Sequence, residues 1–228
     1  MNWKTLVLVV ALVAGCSTQA GQAVKTNVDV GANRPLTLYW DEWVRKGAPQ
    51  IFVSPDRPPE NPPTAVFMPL RLTQQMEHAN SIGYNLSRVV WQTWLQVGAL
   101  PTIEFAEGAP PYRRDMAMAY AKQRGADLAI GGTITYYKDG GTVGDSGVSL
   151  SLEIYDVHTG NLIWSFGQAA VMQSTKVNDF IIFSTRTRVP TDPVTTCLMA
   201  SASDLALMVR HWAYDIVPGS KSGQPKAF

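Results

Sequence analysis

The chain has 228 residues, of which 46% are hydrophobic, 10% aromatic and 16% charged. This composition is too apolar for a disordered protein and too polar for a polytopic membrane protein, so it predicts one main core. The 19 Lys and Arg residues against 18 Asp and Glu residues leave no basic excess to attract a phosphate backbone, which argues against nucleic-acid binding.

The first sixteen residues have the pattern of an export signal. Lys4 precedes an unbroken apolar run at 6–14, which is too short for an ordinary membrane-spanning helix. The sequence Leu-Val-Ala-Gly-Cys at 12–16 resembles the lipobox of bacterial lipoproteins, whose cysteine is acylated and becomes the first residue of the mature chain. The resemblance implies a signal peptide at 1–15, cleavage after Gly15 and lipidation of Cys16.

The residue after the lipobox cysteine indicates which membrane holds the protein. In lipoproteins of this type an aspartate at that position favours retention in the inner membrane, and Ser17 stands there instead. The resemblance therefore implies a lipid anchor in the outer membrane, with the protein on the periplasmic face. Each buried CH₂ group contributes about 0.8 kcal/mol, so several acyl chains would hold the protein stably.

The second cysteine, Cys197, would be the only thiol left after Cys16 is lipidated. No intrachain disulfide is then possible, even in an oxidising compartment. A nucleophilic cysteine needs a base and an orienting group, and no local motif supplies them. Cys197 is therefore predicted to be a small buried apolar residue.

Residues 16–64 are predicted to form a lipidated, irregular tether between the membrane and the domain. They end in a proline-rich run at 55–63 that is incompatible with a long helix or a central strand. An aromatic patch interrupts this segment, comprising Leu36, Leu38, Tyr39, Trp40, Trp43 and Val44. The patch indicates either an anchor in the bilayer interface or a neighbouring subunit, or a short segment folded back on its own domain.

The predicted domain spans 65–217 and begins with alternating strands and helices. A short apolar run at 65–72 indicates a buried strand, and apolar residues at steps of three and four from Ile82 to Val97 indicate a helix closed by Gly98. A second strand is predicted at 101–105 and a second helix at 112–124, ended by Gly125.

The second half of the domain is predicted to be an antiparallel meander followed by a helix. Its three strands cover 126–137, 148–155 and 162–166. A polar stretch follows, interrupted by an apolar group in which Phe180, Ile182 and Phe183 are candidate interface residues. Asp192 is the predicted N-cap of the last helix, and a disordered tail is predicted at 218–228.

These elements predict an α/β (α+β) fold with a mixed sheet of about five strands in the order β-α-β-α-β-β-β-α. Helices are expected on one side of the sheet, leaving the other side available to solvent or a neighbour.

Residue types that carry chemistry are few and scattered. The chain has three histidines, His78, His158 and His211, and none has a sequence partner at metal-ligand spacing. The glycine-rich segment at 139–147 connects two strands and opens no helix, so it lacks the amides of a phosphate loop. We predict no metal, no cofactor, no catalytic residue and no enzymatic activity.

Four sequence segments of the domain resemble one superfamily of envelope lipoproteins. They are Val-Phe-Met-Pro-Leu at 66–70, Ile-Gly-Tyr-Asn-Leu at 82–86, the segment at 124–134 with its Gly-Ala-Asp strand entry at 125–127, and the segment at 154–165 with its Asp-Val-His-Thr-Gly turn at 156–160 followed by Trp164 and Ser165. Members include the curli secretion channel lipoprotein, the Pel export lipoprotein, FlgO, LpoB and the amino-terminal domain of TolB.

The glycines of these sequence segments have structural interpretations. Gly125 permits a left-handed helix end, and Gly160 with Thr159 closes a tight hairpin. Gly131 and Gly132 are expected to let a helix approach the sheet closely.

The resemblance implies a non-enzymatic outer-membrane lipoprotein that forms a homo-oligomer, such as a ring. It would serve as a periplasmic scaffold for an envelope export or surface-appendage machine, such as a flagellar basal body or a polysaccharide or curli-type secretion system, and other subunits of that machine would be its partners. The alternative is a monomeric activator of a peptidoglycan synthase, for which the long tether would provide reach. The low charged fraction favours assembly, because interface cores are depleted in charge.

Overall fold

The computed structural model describes residues 44–141, 143–174, 176–179, 184–187 and 192–216, with the backbone alone for 176–179 and 184–187. The predictions for the signal peptide, the tail at 218–228 and a set of site residues lie outside this part. That set comprises Gly15, Cys16, Tyr39, Trp40, Trp43, Phe180, Ile182 and Phe183.

Ten strands and three helices form in the part of the chain that the structure describes. The strands are β1 (Val44–Lys46), β2 (Gln50–Val53), β3 (Thr64–Phe67), β4 (Arg71–Leu72), β5 (Thr102–Phe105), β6 (Leu128–Lys138), β7 (Ser146–Asp156), β8 (Leu162–Met172), β9 (Lys176–Asp179) and β10 (Ser184–Thr187). The helices are α1 (Ala79–Val97), α2 (Arg114–Arg124) and α3 (Pro193–Ala213).

Eight of the strands form one mixed sheet, which confirms the predicted fold class. Its order is β1-β8-β7-β6-β3-β5, with β2 also pairing β8 and β4 also pairing β6, while β9 and β10 pair separately. The strands β3, β5 and β6 run parallel, and β6, β7 and β8 form the predicted antiparallel meander. The count of eight strands corrects the expected number of about five.

The two faces of the sheet are covered unequally. Helices α1 and α3 pack on one face, where Phe67, Ile130 and Phe166 are fully buried. Helix α2 covers the other face only beside β3 and β6, through Ala117 and Ala121. Over β7 and β8 this second face carries small residues that stay partly exposed, among them Ser149, Ser151 and Ser165. One side is therefore packed by helices along its length and the other remains largely available, as the alternation of β7 predicts.

The helix boundaries follow the local signals closely. Gly98 and Gly125 close α1 and α2 in the left-handed conformation, with φ of 67° and 65°. The Asp192 side chain caps α3 by accepting a hydrogen bond from the Thr195 amide at 3.0 Å, as predicted. Helix α2 begins two residues later than expected, because the Tyr112 amide donates to the Pro69 carbonyl at 2.7 Å and is held in the loop.

Residues 44–53 form strands where an irregular tether was expected, which corrects that prediction. Strand β1 pairs with the end of β8 and buries Val44 to 8% exposure. The Lys46 ammonium contacts the Asp204 carboxylate of α3 at 2.8 Å. The Gln168 amide of β8 donates to both the Gly47 carbonyl at 2.7 Å and Asp204 at 2.8 Å. Strands of three and four residues are too short to show an alternation of apolar and polar residues in the sequence. They can be recognised as strands only from their pairing with β8.

The proline-rich segment at 54–63 also belongs to the domain. It leads from β2, at one edge of the sheet, to β3, four strand positions away. Ten residues in the polyproline conformation reach about 31 Å, and four strand spacings amount to about 19 Å. The Trp212 indole of α3 fixes the segment by donating to the Arg57 carbonyl at 2.8 Å. The segment is therefore long enough to cross the sheet, and it forms part of the domain.

Candidate functional site

The structure brings no metal-binding cluster together in the residues it describes. None of these residues form a group of three or more His, Cys, Asp or Glu side chains suited to a metal ion. His78 lies 3.3 Å from Glu77 and His158 lies 3.3 Å from Asp127, both as exposed pairs. No helix within the described ranges is long and apolar enough to span a membrane.

The Gly-Ala-Asp strand entry and the Asp-Val-His-Thr-Gly turn contact each other at one end of the sheet. One carboxylate oxygen of Asp127 accepts hydrogen bonds from the Thr64 amide and hydroxyl, both at 2.8 Å. The other oxygen lies 3.3 Å from the His158 ring, and the Asp127 carbonyl accepts from the Val157 amide at 2.8 Å. Asp127 thus joins the start of β3 to the β7–β8 hairpin, which gives both motifs a structural role.

Hydrogen bonding controls the ionisation of this carboxylate. The Thr64 amide and hydroxyl, together with His158, hold the pKa of Asp127 below its usual range. A carboxyl whose pKa is lowered in the folded state stabilises the fold above its ordinary pKa, and this contribution disappears as the pH falls through the lowered value.

We expect Asp127→Asn to lower the free energy of unfolding by about 1 kcal/mol at neutral pH, because it removes charge-assisted hydrogen bonds at a partly exposed position. The difference from the wild type should shrink below about pH 4, where the wild-type carboxyl also becomes neutral. Urea unfolding at several pH values measures both effects. Asp56→Asn is the matched control, since Asp56 is exposed and accepts no hydrogen bond from the described residues. An equal loss of stability at acidic and neutral pH would contradict this prediction.

A second polar cluster lies on the sheet face that α2 covers. The Tyr112 hydroxyl donates to the Glu153 carboxylate at 2.7 Å, and the Tyr155 hydroxyl donates to the same oxygen at 3.2 Å. The Arg114 guanidinium lies over the Tyr155 ring, 4.6 Å from its centroid. Burial, and then Glu153, raise the pKa of Tyr112, so its hydroxyl remains a donor at physiological pH.

This cluster corrects the expected role of two glycines. A Cβ atom on Gly131 would collide with the Tyr112 ring, and one on Gly132 would collide with the Ser151 carbonyl of the neighbouring strand. Gly131 therefore makes room for a tyrosine from a loop, and Gly132 for the adjacent backbone. Neither glycine serves the approach of a helix, because the atoms that its added Cβ would meet belong to a loop and to strand β7.

Cys197 lies in the core, as predicted. It is a free cysteine with no exposed surface. Burial raises the pKa of the Cys197 thiol to about 12, so the reactive thiolate is suppressed at neutral pH.

The two edges of the sheet differ in their protection. At the β5 edge, the Trp91 indole donates to the Ile103 carbonyl at 2.9 Å, and Glu104 forms an ion pair with Arg124. At the opposite edge, strand β2 exposes Ile51 and Phe52, with 51% and 70% of their surfaces accessible. Charges, bulges and capping side chains hinder edge-to-edge pairing in natural sheets. The β1–β2 edge also has Lys46 and a bulge between Ile51 and Val53, so what distinguishes it from the β5 edge is its pair of exposed apolar side chains, Ile51 and Phe52.

No family model matches the chain, and no curated protein matches it significantly.

Several solved structures show a partial likeness at low sequence identity. The PelC dodecamer from Paraburkholderia phytofirmans is 15% identical, with 75% of this chain and 96% of that chain covered and a TM-score of 0.45. The hypothetical protein CT253 from Chlamydia trachomatis is 11% identical, with 66% and 97% covered and a TM-score of 0.41. The LpoB C-terminal domain from Salmonella enterica is 16% identical, with 50% and 85% covered and a TM-score of 0.25. These values assign this chain to no family and no function.

The apolar β2 edge is the surface that sequence reasoning missed. The prediction placed interface residues in the aromatic patch and at 180–183, whereas Ile51 and Phe52 were assigned to the tether. The available signal was the run Ile-Phe-Val at 51–53, which has high β-propensity. It is too short to be recognised as a strand before its pairing with β8 is known.

Proposed function

We propose that this chain is a non-enzymatic outer-membrane lipoprotein that assembles with copies of itself. The assembly would act as a periplasmic scaffold in an envelope export or surface-appendage machine, such as a flagellar basal body or a polysaccharide or curli-type secretion system. The lipobox-like segment at 12–16 supports the lipid anchor. The sequence segments that resemble the envelope-lipoprotein superfamily support the cellular role. The single observation that carries the assembly is the pair of exposed apolar side chains, Ile51 and Phe52, on the β2 edge.

The β2 edge suits a second copy of the chain for two reasons. Its outer backbone groups have no strand partner within the described residues, so another extended segment can pair with them. Burial of the Phe52 ring, which is 70% exposed, would add about 2 kcal/mol of hydrophobic stabilisation. Side chains protect the β5 edge. The contact therefore pairs the β2 strand of one copy with the β2 strand, or with another surface, of the second copy.

We expect Phe52→Asp to weaken self-association by roughly thirtyfold, the equivalent of about 2 kcal/mol. Sedimentation of the detergent-extracted, full-length lipoprotein over a range of concentrations measures this change. Met76→Asp is the matched control, because Met76 is exposed to 41% and lies outside the edge strand; it should associate like the wild type. A wild type that is monomeric at every concentration, or a Phe52→Asp variant that associates normally, would refute assembly through β2.

The corrected length of the tether bears on the alternative role as a synthase activator. Since β1 begins at Val44, the segment between Cys16 and the described domain ends at residue 43 at most. At 3.3 to 3.6 Å per residue it spans at most about 100 Å, against about 170 Å for a tether that reached residue 64. The shorter reach favours a scaffold close to the outer membrane. Crosslinking in cells that captured a cell-wall synthase instead of a second copy would favour the activator.

A further inference from the structure

The connections that leave two neighbouring parallel strands go to opposite faces of the sheet. Strand β3 continues through the short strand β4 into α1, which packs with Phe67 on one face. Strand β5, which pairs directly with β3, leads into α2, which packs with Val66 and Met68 on the other face. Where outgoing connections diverge in this way, a crevice opens at the carboxyl ends of the strands, and ligands of open α/β sheets bind there.

A cavity of about 410 Å³ occupies this crevice. Its volume lies within the range of small-molecule sites, about 300–1,000 Å³. The first turns of α1 form one wall, with Asn80, Ser81, Tyr84 and Asn85. The connection between β3 and β4 and the loop after β5 form the other wall, with Pro69 and Pro111.

Hydrogen bonds within the crevice hold its walls in place. The Tyr112 amide donates to the Pro69 carbonyl at 2.7 Å and so joins the two loops. The buried Ser87 hydroxyl accepts from the Leu70 amide at 2.7 Å and donates to the Gly83 carbonyl at 2.5 Å. Gly83 permits this close approach, since a Cβ atom there would lie 3.1 Å from the Leu70 carbonyl oxygen. The site is therefore formed before any ligand arrives.

The chemistry of the lining selects the class of ligand. None of the lining residues is charged, so a metal ion or a phosphate would find no side chain of opposite charge. The amides of Asn80 and Asn85 and the hydroxyl of Ser81 both donate and accept hydrogen bonds. These side chains have no hydrogen-bond partner among the described residues. Saccharide hydroxyls also donate and accept, and the rings of Tyr84 and the prolines offer apolar surface to the C–H face of a sugar.

We propose that this crevice, formed by the start of α1 and the loops after β3 and β5, binds an uncharged saccharide. The inference rests on the topology and lining of the cavity and does not depend on assembly through β2. It identifies a neutral glycan as the ligand class and Asn80 and Asn85 as the residues that recognise it.

Calorimetric titration of the detergent-extracted protein with cellotriose and with tri-N-acetylchitotriose tests this assignment. We expect at least one of these neutral trisaccharides to bind in the millimolar range or more tightly. Asn85→Ala should weaken binding at least tenfold, and Asn80→Ala in the same direction. Asn61→Ala is the matched control, because Asn61 is exposed on the proline-rich crossing and should bind like the wild type.

Two further measurements separate the competing outcomes. Trigalacturonic acid replaces the neutral sugar with an acidic one, and binding of this probe alone would show that the α1 amides hold an anion, which overturns the proposal. Thermal unfolding of each variant should match the wild type, since Asn80 and Asn85 are exposed. Failure of both neutral probes, or unchanged affinity in Asn85→Ala, would also overturn it.

Discussion

Replacing Cys16 with alanine should abolish incorporation of fatty acid into the protein. In the proposed lipoprotein, the lipobox-like segment at 12–16 would supply a single acylation site, and the several acyl chains attached there would provide the membrane affinity, at about 0.8 kcal/mol per buried CH₂. Labelling cells with an alkyne-bearing palmitate analogue and detecting the purified protein measures the loss directly. We expect a complete loss of label, which is the largest effect of any substitution considered for this chain.

The chain contains its own control for this experiment. Cys197 is the only other cysteine, and it is fully buried with its thiol pKa raised to about 12. Cys197→Ala should therefore retain the full label, with a small loss of stability. Label that persisted in Cys16→Ala, or that disappeared in Cys197→Ala, would contradict the lipoprotein assignment.

Adding a single methyl group at Gly131 should strongly destabilise the domain. A Cβ atom there would collide with the Tyr112 ring, which is held by the hydroxyl contact to Glu153 and by the amide contact to Pro69. Either the ring leaves its site or the strand shifts. We expect Gly131→Ala to cost about 3 kcal/mol, at the upper end for overpacked sites, as measured by urea unfolding.

A double-substitution experiment distinguishes this collision from a general intolerance of strand β6. Tyr112→Ala alone should cost about 3 kcal/mol through the cavity it leaves. When the ring is absent, the added methyl group meets empty space, so Gly131→Ala in the Tyr112→Ala background should cost far less than in the wild type. Additive costs would show that the ring is not the cause. Gly47→Ala serves as a control, because its added Cβ would have no neighbour within 4 Å.

The local elements of the domain were predictable from the sequence. The steps of three and four from Ile82 to Val97, the cap at Asp192 and the alternation of β7 depend on residues close together in the chain. Helix ends at Gly98 and Gly125 follow from the freedom of glycine to adopt positive φ. The boundary of α2 was wrong by two residues, because Tyr112 is held by a distant carbonyl of Pro69.

The candidate sites were less predictable, because each combines segments that are far apart in the chain. The β2 edge exists only because residues 50–53 pair with 165–167. The crevice requires β3 and β5 to lie side by side and their helices to leave on opposite faces. Asn80 and Asn85 look like ordinary exposed helix residues until the loop containing Pro111 is placed opposite them.

The sequence by itself determined the class of fold, the order of its main elements and the burial of Cys197, because local hydrophobic periodicity and capping encode them. It also carries the segment at 12–16 that resembles a lipobox, which is recognised as a linear motif. Only the tertiary structure decided where the described domain begins, what Gly131 and Gly132 accommodate and which sheet edge exposes apolar side chains. Those properties depend on long-range pairing and on steric contacts between distant segments, which leave no periodic trace in the chain.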